Sequence, residues 1–281
     1  MRIIETIADM KAVIKSQKQS GKSIGLVPTM GYLHQGHISL VKHSTQENDF
    51  TVVSIFVNPT QFGPNEDYDK YPRDLEKDMK LAEQADVDII FAPSVKEMYP
   101  DGYKTYVAVE GITEVMCGKS RPGHFRGVTT VVTKLFNIIT PTKAYFGQKD
   151  AQQVAVIKQM VKDLNMNLEI ITCPIIREAD GLAMSSRNVY LNSEERKAAL
   201  VLSQSLLNAD KLVEGGERSK EKLYKSIYEQ ISSESLANIE YIEIVDADTL
   251  EKVNNIEKRV LVALAVKFGN TRLIDNIILE V

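Results

Sequence analysis

Residues 28–37 read Pro-Thr-Met-Gly-Tyr-Leu-His-Gln-Gly-His, and this stretch decides the interpretation of the chain. The apolar run before it, 24–27, is typical of a buried strand, and residues 38–41 begin a helical pattern. A turn between a parallel strand and a helix lies at the sheet edge where ligands bind. The helix offers unpaired N–H groups to an anion, and glycine allows close approach. The stretch therefore predicts a binding site for a nucleotide.

The composition limits the class of protein. The chain has 281 residues, of which 43% are hydrophobic and 26% charged, which is enough for two domains with apolar cores. The net charge of -4 argues against a general nucleic-acid binder. Its two cysteines, Cys117 and Cys173, are far apart and favour a reduced, cytoplasmic setting over a disulfide framework. The N-terminus lacks an apolar signal region, and no run is long enough to span a membrane.

Strand-like and helical patterns alternate over the first 175 residues. Helices are predicted at 6–19, 36–47, 72–85 with Pro72 in the first turn, 128–139, and after residue 150. Strands are predicted at 24–28, 51–57, 87–91, 105–109, 143–146 and 168–172, with a polar loop at 117–127. This alternation predicts an α/β fold with a Rossmann-like, doubly wound parallel sheet.

The pattern changes after residue 175. A polar segment at 176–192 leads to helices at 193–213 and 218–232, and Asn192 with Glu195 has the spacing of a helix N-terminal capping box. Strand-like runs follow at 239–246, 259–267 and 276–281. We therefore predict two domains, residues 1–175 and a smaller α+β domain at 176–281.

The pair His34 and His37 has three interpretations. Histidine can donate a hydrogen bond to a phosphate on which charge develops. The pair can also be a solvated or capping pair at a helix start, or can share a metal at its i,i+3 spacing. Zinc would need a third ligand nearby, and the local sequence shows none.

Three weaker groups lie on other predicted loops. Gly147-Gln148-Lys149-Asp150 follows a buried strand, where a phosphate-binding lysine and a ribose-binding acid would lie, although many such turns are only turns. Met184-Ser185-Ser186-Arg187 offers hydroxyls and a guanidinium to a pyrophosphate, but alone it is more typical of a surface turn. The amides that follow strands, and that either bind a small substrate or only cap loops, are Asn58, Gln61 and Gln153.

One further loop carries charge without a clear role. Lys119, Arg121 and Arg126 add positive potential or form a solvated loop, and His124 among them is interpreted as structural.

Four blocks of sequence together resemble a known family. Residues 28–37, 56–62, 146–153 and 177–188 resemble the HxGH-type signature of the nucleotidylyltransferase superfamily, in the form found in the pantothenate synthetase family. The resemblance spans residues 24–192. It implies ligation of (R)-pantoate and β-alanine with ATP and Mg²⁺ through a pantoyl adenylate, releasing AMP and pyrophosphate. It also implies a Rossmann-like N-terminal domain, a C-terminal lid and a homodimer.

The same resemblance assigns roles to individual residues. It implies catalytic roles for His37, His34 and Lys149, with His37 as the proton donor. ATP is expected at Met30, Gly31, Tyr32, Leu33, His34, Gln35, Gly36, His37, Gly147, Gln148, Lys149, Asp150, Ile176, Met184, Ser185, Ser186 and Arg187. Pantoate is expected at Gln61, Gln153, Met30 and Asn58, and β-alanine at Gln61. No protein side chain is assigned to the metal ion.

Other functions remain open on the sequence alone. Another adenylyl- or cytidylyltransferase of the superfamily would release a nucleotide-linked product. A class I aminoacyl-tRNA synthetase is disfavoured because the chain is short and acidic. A non-catalytic nucleotide- or metal-binding regulator built around His34 and His37 is the alternative from another class.

Overall fold

The computed structural model describes residues 1–64 and 66–280. Contacts within the chain divide it into two compact units. The first comprises Met1–Gly147 and Val156–Pro174, and the second comprises Gln148–Ala155 and Ile175–Val281. The backbone therefore passes from one unit to the other three times.

The first unit is built on a six-stranded sheet in which all neighbouring strands are parallel. Its strands are β1 (Arg2–Ile4), β2 (Ile24–Thr29), β3 (Phe50–Ile55), β4 (Ile89–Phe91), β5 (Lys143–Gly147) and β6 (Glu169–Cys173). Their order in the sheet is β1-β4-β3-β2-β5-β6. The predicted Rossmann-like, doubly wound sheet is confirmed. The chain fills the sheet on one side of β2 and then on the other, so the edge beside β2 is the topological switch point.

Helices connect these strands. They are α1 (Ile7–Gln19), α2 (Gln35–Glu47), α3 (Leu75–Glu83), α4 (Val95–Met98), α5 (Met116–Ser120), α6 (His124–Ile139) and α7 (Ala151–Asp163). Residues from four different strands, Val27, Val53, Ile90 and Tyr145, are fully buried in one apolar cluster. A parallel sheet covered on both faces explains why these strands are continuous apolar runs. Within the described residues, no helix is both long and apolar enough to cross a bilayer.

One predicted strand of the first unit is wrong, and one predicted helix begins later than expected. Residues 105–109 form no strand. Instead, the N–H of Val107 donates to the hydroxyl of Thr130 at 3.0 Å. The C=O of Val107 accepts from the hydroxyl of Thr129 at 2.7 Å. The helix predicted from Pro72 begins only at Leu75, because the carboxylate of Asp74 caps it by accepting the N–H of Lys77.

The predicted loop at 117–127 is also wrong in part. It overlaps the short helix α5 and the first turn of α6. Gly123, with φ of 82°, separates the two helices in the left-handed region that glycine readily adopts. The sequence analysis also missed β1 and α4, which are too short to show a periodic pattern.

The second unit is a small α+β structure, as predicted. Its strands β7 (Ala237–Asp246), β8 (Val260–Phe268) and β9 (Thr271–Leu279) form an antiparallel sheet in that order. Its helices are α8 (Ser193–Ala198), α9 (Val201–Glu214) and α10 (Lys220–Ser232), so the helix predicted at 193–213 is in fact two. Leu206, Leu223 and Phe268 are among the buried residues of its core. The predicted capping box of Asn192 and Glu195 is confirmed.

Candidate active site

The turn after β2 is sharply bent. Gly31 and Tyr32 both have positive φ, at 82° and 51°. The hydroxyl of Thr29 accepts the N–H of Gly31 at 3.1 Å and donates to the carbonyl of Ser54 on β3 at 2.7 Å. A Cβ at position 31 would lie 2.9 Å from Cγ2 of Ile55. The backbone conformation and the lack of space therefore both require glycine at this position.

A buried carboxylate holds the same turn. The N–H groups of Tyr32 and Leu33 donate to the two oxygens of Asp78, at 2.8 and 2.6 Å. Asp78 belongs to α3 and is 1% exposed. Burial raises the pKa of Asp78, and the two backbone hydrogen bonds oppose that rise. The sequence analysis missed this residue, because an aspartate on an acidic helix far along the chain carries no local signal.

His34 and His37 form a reciprocal cap at the start of α2. Nδ1 of His34 accepts the N–H of Gly36 at 3.1 Å, and Nδ1 of His37 accepts the N–H of His34 at 3.3 Å. The ring centroids are 4.1 Å apart. A nitrogen that accepts a hydrogen bond carries no proton, so each neutral ring carries its hydrogen on Nε2. The capping interpretation is therefore correct for Nδ1, and the hydrogen of each neutral ring lies on Nε2.

This geometry argues against the metal-site interpretation. A metal bound at Nε2 would require the ring hydrogen on Nδ1, where each ring accepts a backbone N–H. Among residues 1–64 and 66–280, no group of three or more His, Cys, Asp or Glu side chains could hold a metal ion. The first turn of α2 contains no acidic residue, so no carboxylate within that turn competes for the positive end of the helix dipole. The turn is thus suited to an anion.

A second group of predicted residues meets beside the first. Nε2 of Gln61 lies 3.2 Å from Sδ of Met30, and Nδ2 of Asn58 donates to Oε1 of Gln61 at 3.0 Å. Nδ2 of Asn58 also donates to the carbonyl of Gly127. Its Oδ1 accepts from the hydroxyl of Tyr99 at 2.8 Å. Asn58 is only 1% exposed, so it lies deeper in the protein interior than Gln61.

Two residues without an assigned role hold the backbone of Gln61. Nδ1 of His124 lies 2.8 Å from the carbonyl oxygen of Gln61, and Nη1 of Arg121 lies 3.0 Å from Nε2 of His124. A carbonyl only accepts and a guanidinium only donates, so His124 is neutral with its hydrogen on Nδ1. Glu66 accepts two hydrogen bonds from Arg121, at 2.7 and 2.6 Å. The structural interpretation of His124 is supported, and Glu66 is a residue that the sequence analysis missed.

The second unit contains the predicted turn around Lys149, which we call the lysine turn. Gln148–Asp150 forms a short 3-10 helix directly after Gly147, the last residue of β5. At Gly147 a Cβ would meet no atom within 4 Å, so the backbone there is open to close approach. Lys149 is half-buried, Asp150 is exposed, and Gln153 follows on the first turns of α7.

The predicted loop Met184-Ser185-Ser186-Arg187, which we call the hydroxyl–arginine loop, also belongs to the second unit. The N–H of Met184 donates to the carbonyl of Ile176 at 3.0 Å, which closes the loop at its base. The hydroxyl of Ser185 caps the 3-10 helix Ser186–Tyr190 by accepting the N–H of Arg187 at 3.3 Å. Ser186 is buried, and Arg187 is half-buried. The predicted ATP-binding residues thus fall into one set in each unit.

A parallel sheet with a histidine-capped helix at its switch point defines the class, a nucleotide-binding α/β protein. A family model described as Pantoate-beta-alanine ligase matches residues 2–278. The chain belongs to this family and is an enzyme, a ligase.

Relatives and solved structures agree with this assignment. Over 281 residues and the full length of both proteins, the chain is 73% identical to the pantothenate synthetase of Acetivibrio thermocellus and 61% to that of Caldicellulosiruptor saccharolyticus. The crystal structure of pantothenate synthetase from Thermus thermophilus matches with a TM-score of 0.94 and 45% identity, covering 99% of each chain. The pantoate-beta-alanine ligase of Francisella tularensis, complexed with beta-gamma ATP and beta-alanine, matches with a TM-score of 0.81 and 42% identity. It covers 99% of this chain and 97% of its own.

Proposed function

We propose that this protein joins (R)-pantoate to β-alanine in an ATP-dependent reaction that passes through pantoyl adenylate and releases AMP and pyrophosphate. Family membership supports the reaction, and the Francisella relative was solved in complex with beta-gamma ATP and beta-alanine. The observation that carries the proposal is the reciprocal cap of His34 and His37, which fixes two Nε2–H donors at the N-terminus of α2. Donors fixed in advance are what developing phosphoryl charge requires.

In the first step, the carboxylate of pantoate attacks the α-phosphorus of ATP, and pyrophosphate leaves. His34 and His37 donate to the phosphoryl oxygens as negative charge grows on them, with His37 as the principal donor. The positive end of the α2 helix dipole adds to this stabilisation. The cap also limits the motion of both rings, so little reorganisation is needed when the charge appears.

The remaining parts of ATP are assigned to two further loops, at residues 147–150 and 176–187. Lys149 and Arg187, with the hydroxyls of Ser185 and Ser186, bind the β- and γ-phosphates. Arginine and hydroxyl groups match phosphate oxygens in geometry and charge. The open backbone at Gly147 and the exposed carboxylate of Asp150 bind the ribose. The backbone near Ile176 and Met184 binds the adenine edge.

Pantoate and β-alanine are assigned to the group of side-chain amides around Gln61. Gln61 and Gln153 bind pantoate, and Met30 packs on its methyl groups. Asn58 acts by orienting Gln61, because its own amide is already bonded to protein groups. In the second step the amine of β-alanine, bound near Gln61, attacks the acyl carbon, and AMP leaves. This route needs no covalent enzyme nucleophile.

We include Mg²⁺ as part of the ATP complex. Mg²⁺ commonly binds proteins through substrate phosphates and few side chains. The cations and hydroxyls at Lys149, Ser185, Ser186 and Arg187 suit phosphate oxygens rather than a metal, which fits an ion carried by ATP. Bound there, it would neutralise charge on the departing pyrophosphate. We keep the cytoplasmic setting, and a lid role for residues 176–281, as predictions.

The order of events is testable by isotope exchange. With pantoate, ATP and Mg²⁺ but no β-alanine, the protein should exchange labelled pyrophosphate into ATP, because adenylate formation is reversible. Omitting pantoate is the control and should abolish exchange. If ligation proceeds at a normal rate and exchange is absent, the adenylate route is wrong. If nucleotide-linked product accumulates in place of AMP, another reaction of the superfamily is the correct one.

We also propose that the protein is a homodimer paired through residues 104–110. Val107 directs its N–H and C=O to the hydroxyls of α6. Within the described residues, the backbone groups of Tyr106 and Ala108 have no hydrogen-bond partner. An exposed backbone edge of this kind is a template for another chain. The sequence there has the β-branched and aromatic character of a strand.

The segment is complementary to itself. Antiparallel pairing of two copies centred on Val107 places Tyr106 of one copy opposite Ala108 of the other, where their free N–H and C=O groups pair. The same register places Lys104 opposite Glu110, both of which are exposed. An antiparallel pair of identical segments closes a two-fold symmetric dimer and leaves no open edge there. A second copy of the chain is therefore the partner that this segment fits.

A further inference from the structure

Asn276 on β9 is buried, and its side chain is directed entirely at the lysine turn. It is 3% exposed. Its Nδ2 donates to the carbonyl oxygens of Gln148 at 3.0 Å and Lys149 at 2.9 Å. Its Oδ1 accepts from Nε2 of Gln148 at 3.0 Å. Both amide hydrogens and the amide oxygen thus hold one three-residue turn.

These bonds fix the backbone at Lys149. Two consecutive carbonyls that point at one amide set the planes of the peptide groups after Gln148 and Lys149. The orientation of those planes determines the direction in which the side chain of Lys149 leaves the backbone. A 3-10 helix of three residues has poor internal hydrogen-bond geometry, so an external anchor is needed to hold it in one conformation.

The anchor is itself held in place. The N–H of Asn276 donates to Oδ1 of its neighbour Asp275 at 2.8 Å. Asp275 is 2% exposed and bonds Nη1 and Nη2 of Arg177, at 2.6 and 3.0 Å. Nη1 of Arg177 also donates to the carbonyl of Gly181, within the loop that leads to Met184. The adjacent pair Asp275 and Asn276 therefore supports both segments to which ATP is assigned in this unit.

We propose that Asn276 is a positioning residue for Lys149: it does not touch ATP, and it sets the direction from which the ammonium group reaches the phosphates. The inference rests on the proposed function, because it takes Lys149 as a ligand of ATP. It assigns a catalytic purpose to the C-terminal strand, in which the sequence shows no motif.

The first test is Asn276→Asp. The carboxylate has nearly the shape of the amide but no hydrogens, so it repels the two carbonyls that the amide held. We expect kcat/KM for ATP to fall roughly 10- to 100-fold, as expected for a displaced substrate-binding group, while KM for β-alanine is unchanged. Asn208→Asp, on the exposed face of α9, is the matched control and should have wild-type kinetics.

The second test is a double-mutant cycle with Lys149→Ala. If Asn276 acts through Lys149, Asn276→Asp should change kcat/KM for ATP by less than about two-fold once the lysine side chain is gone. Independent multiplication of the two effects would show a general structural role and overturn the proposal. An unchanged kcat/KM for ATP in the single variant would overturn it as well.

Two controls keep the outcomes distinct. If Asn276→Asp does not fold, Asn276→Ser retains one hydroxyl donor and should give a smaller loss that again disappears with Lys149→Ala. Binding of a non-hydrolysable ATP analogue, measured by calorimetry, provides a readout that does not depend on turnover. If the wild-type protein forms no AMP from ATP, pantoate and β-alanine, the proposed function fails, whereas multiplicative effects in an active enzyme remove only the positioning role.

Discussion

In the proposed reaction, the two ring nitrogens of each histidine at the start of α2 have separate roles. Nδ1 of His34 and of His37 accepts a backbone N–H and shapes the start of α2. That bond places the ring hydrogen on Nε2, which we propose as the donor to a phosphoryl oxygen. Under this proposal the same side chain stabilises the helix and serves the reaction. Substitution of His37 by alanine would remove both roles at once, so two substitutions that affect the roles separately are needed.

His37→Asn and His37→Gln separate these tasks. The amide oxygen of asparagine replaces Nδ1 and keeps the cap, so we expect thermal stability close to wild type and turnover lower by roughly 10²–10³-fold. The longer glutamine places its amide N–H near the position of Nε2, so it should recover part of the turnover. It loses the cap acceptor, which costs about 0.5–2 kcal/mol of stability. Wild-type turnover in His37→Asn would remove His37 from the catalytic residues.

Residues with local partners were predictable from the sequence, and residues with distant partners were not. His34 and His37 belong to a turn whose glycines and flanking patterns lie within about ten residues. Asp78 holds the same turn from 45 residues away in the chain, and Asn276 holds Lys149 from 127 residues away. A single aspartate or asparagine among many gives no sequence pattern that identifies its distant partner.

At the scale of elements, α6 fixes the short helix Pro59–Gln61. A Cβ on Gly127 of α6 would lie 2.6 Å from Cα of Gln61, so the two backbones touch closely. His124, the first residue of α6, and Arg121 both contact the carbonyl of Gln61, and Glu66 accepts hydrogen bonds from Arg121. Three segments of the chain therefore position Gln61, the proposed ligand of pantoate.

The Glu66–Arg121 pair should show itself in the pH dependence of stability. Burial alone would raise the pKa of Glu66, but the hydrogen bonds and charge of Arg121 outweigh it and hold the pKa below its ordinary value of 4.5. A carboxylate with a lowered pKa stabilises the fold above its ordinary pKa, and this contribution is lost as pH falls through the lowered value.

We therefore expect Glu66→Gln to lower the thermal unfolding midpoint by roughly 2–6 °C at pH 7. The difference from wild type should shrink on acidification below about pH 4.5, where Glu66 of the unfolded chain begins to be protonated, and should vanish as pH falls through the lowered pKa of the folded state. Calorimetry from pH 7 to 3.5 measures this, with the exposed Glu76→Gln on α3 as control. A difference that stays constant over that range would show that the pair contributes through packing alone.

Element predictions failed where side chains replaced regular backbone partners. Residues 105–109 have strand-like composition, but two threonine hydroxyls of α6 take the hydrogen bonds that a neighbouring strand would take. The start of α3 is set by the capping carboxylate of Asp74 rather than by Pro72. In both cases polar side chains outweigh the local propensity, which is a weak effect per residue.

At the scale of the whole molecule, the proposed dimer makes a charge-reversal prediction. Lys104→Glu places two glutamates opposite each other at both ends of the symmetric pair, and Glu110→Lys does the same with two lysines. Each should weaken self-association by roughly 2- to 30-fold, from about 0.2–1 kcal/mol for each facing pair. The double variant should restore it, because opposite charges face each other again.

Sedimentation equilibrium of the four proteins measures this effect, with the exposed Lys96→Glu as control. A wild-type monomer would refute the dimer. Equal affinities for all variants, in a protein that does dimerise, would place the interface elsewhere on the chain.

The class of fold was predictable at this scale because it rests on repetition. Alternating apolar strands and amphipathic helices allow few arrangements, and parallel strands joined by helices are among the most restrictive. The passage of Gln148–Ala155 into the second unit was not visible in the sequence, because it depends on buried polar contacts such as those of Asn276 with Gln148 and Lys149.

The 127 residues between Lys149 and Asn276 also have a consequence for synthesis. At about 5–20 residues per second, a ribosome makes the lysine turn roughly 6–25 s before the asparagine that holds it. During that interval the nascent chain carries Lys149, the proposed phosphate ligand, without the anchor of its backbone. A chain released early from the ribosome would lack that anchor permanently, so under the proposed function translation to the last strand is a condition for a correctly positioned ATP site.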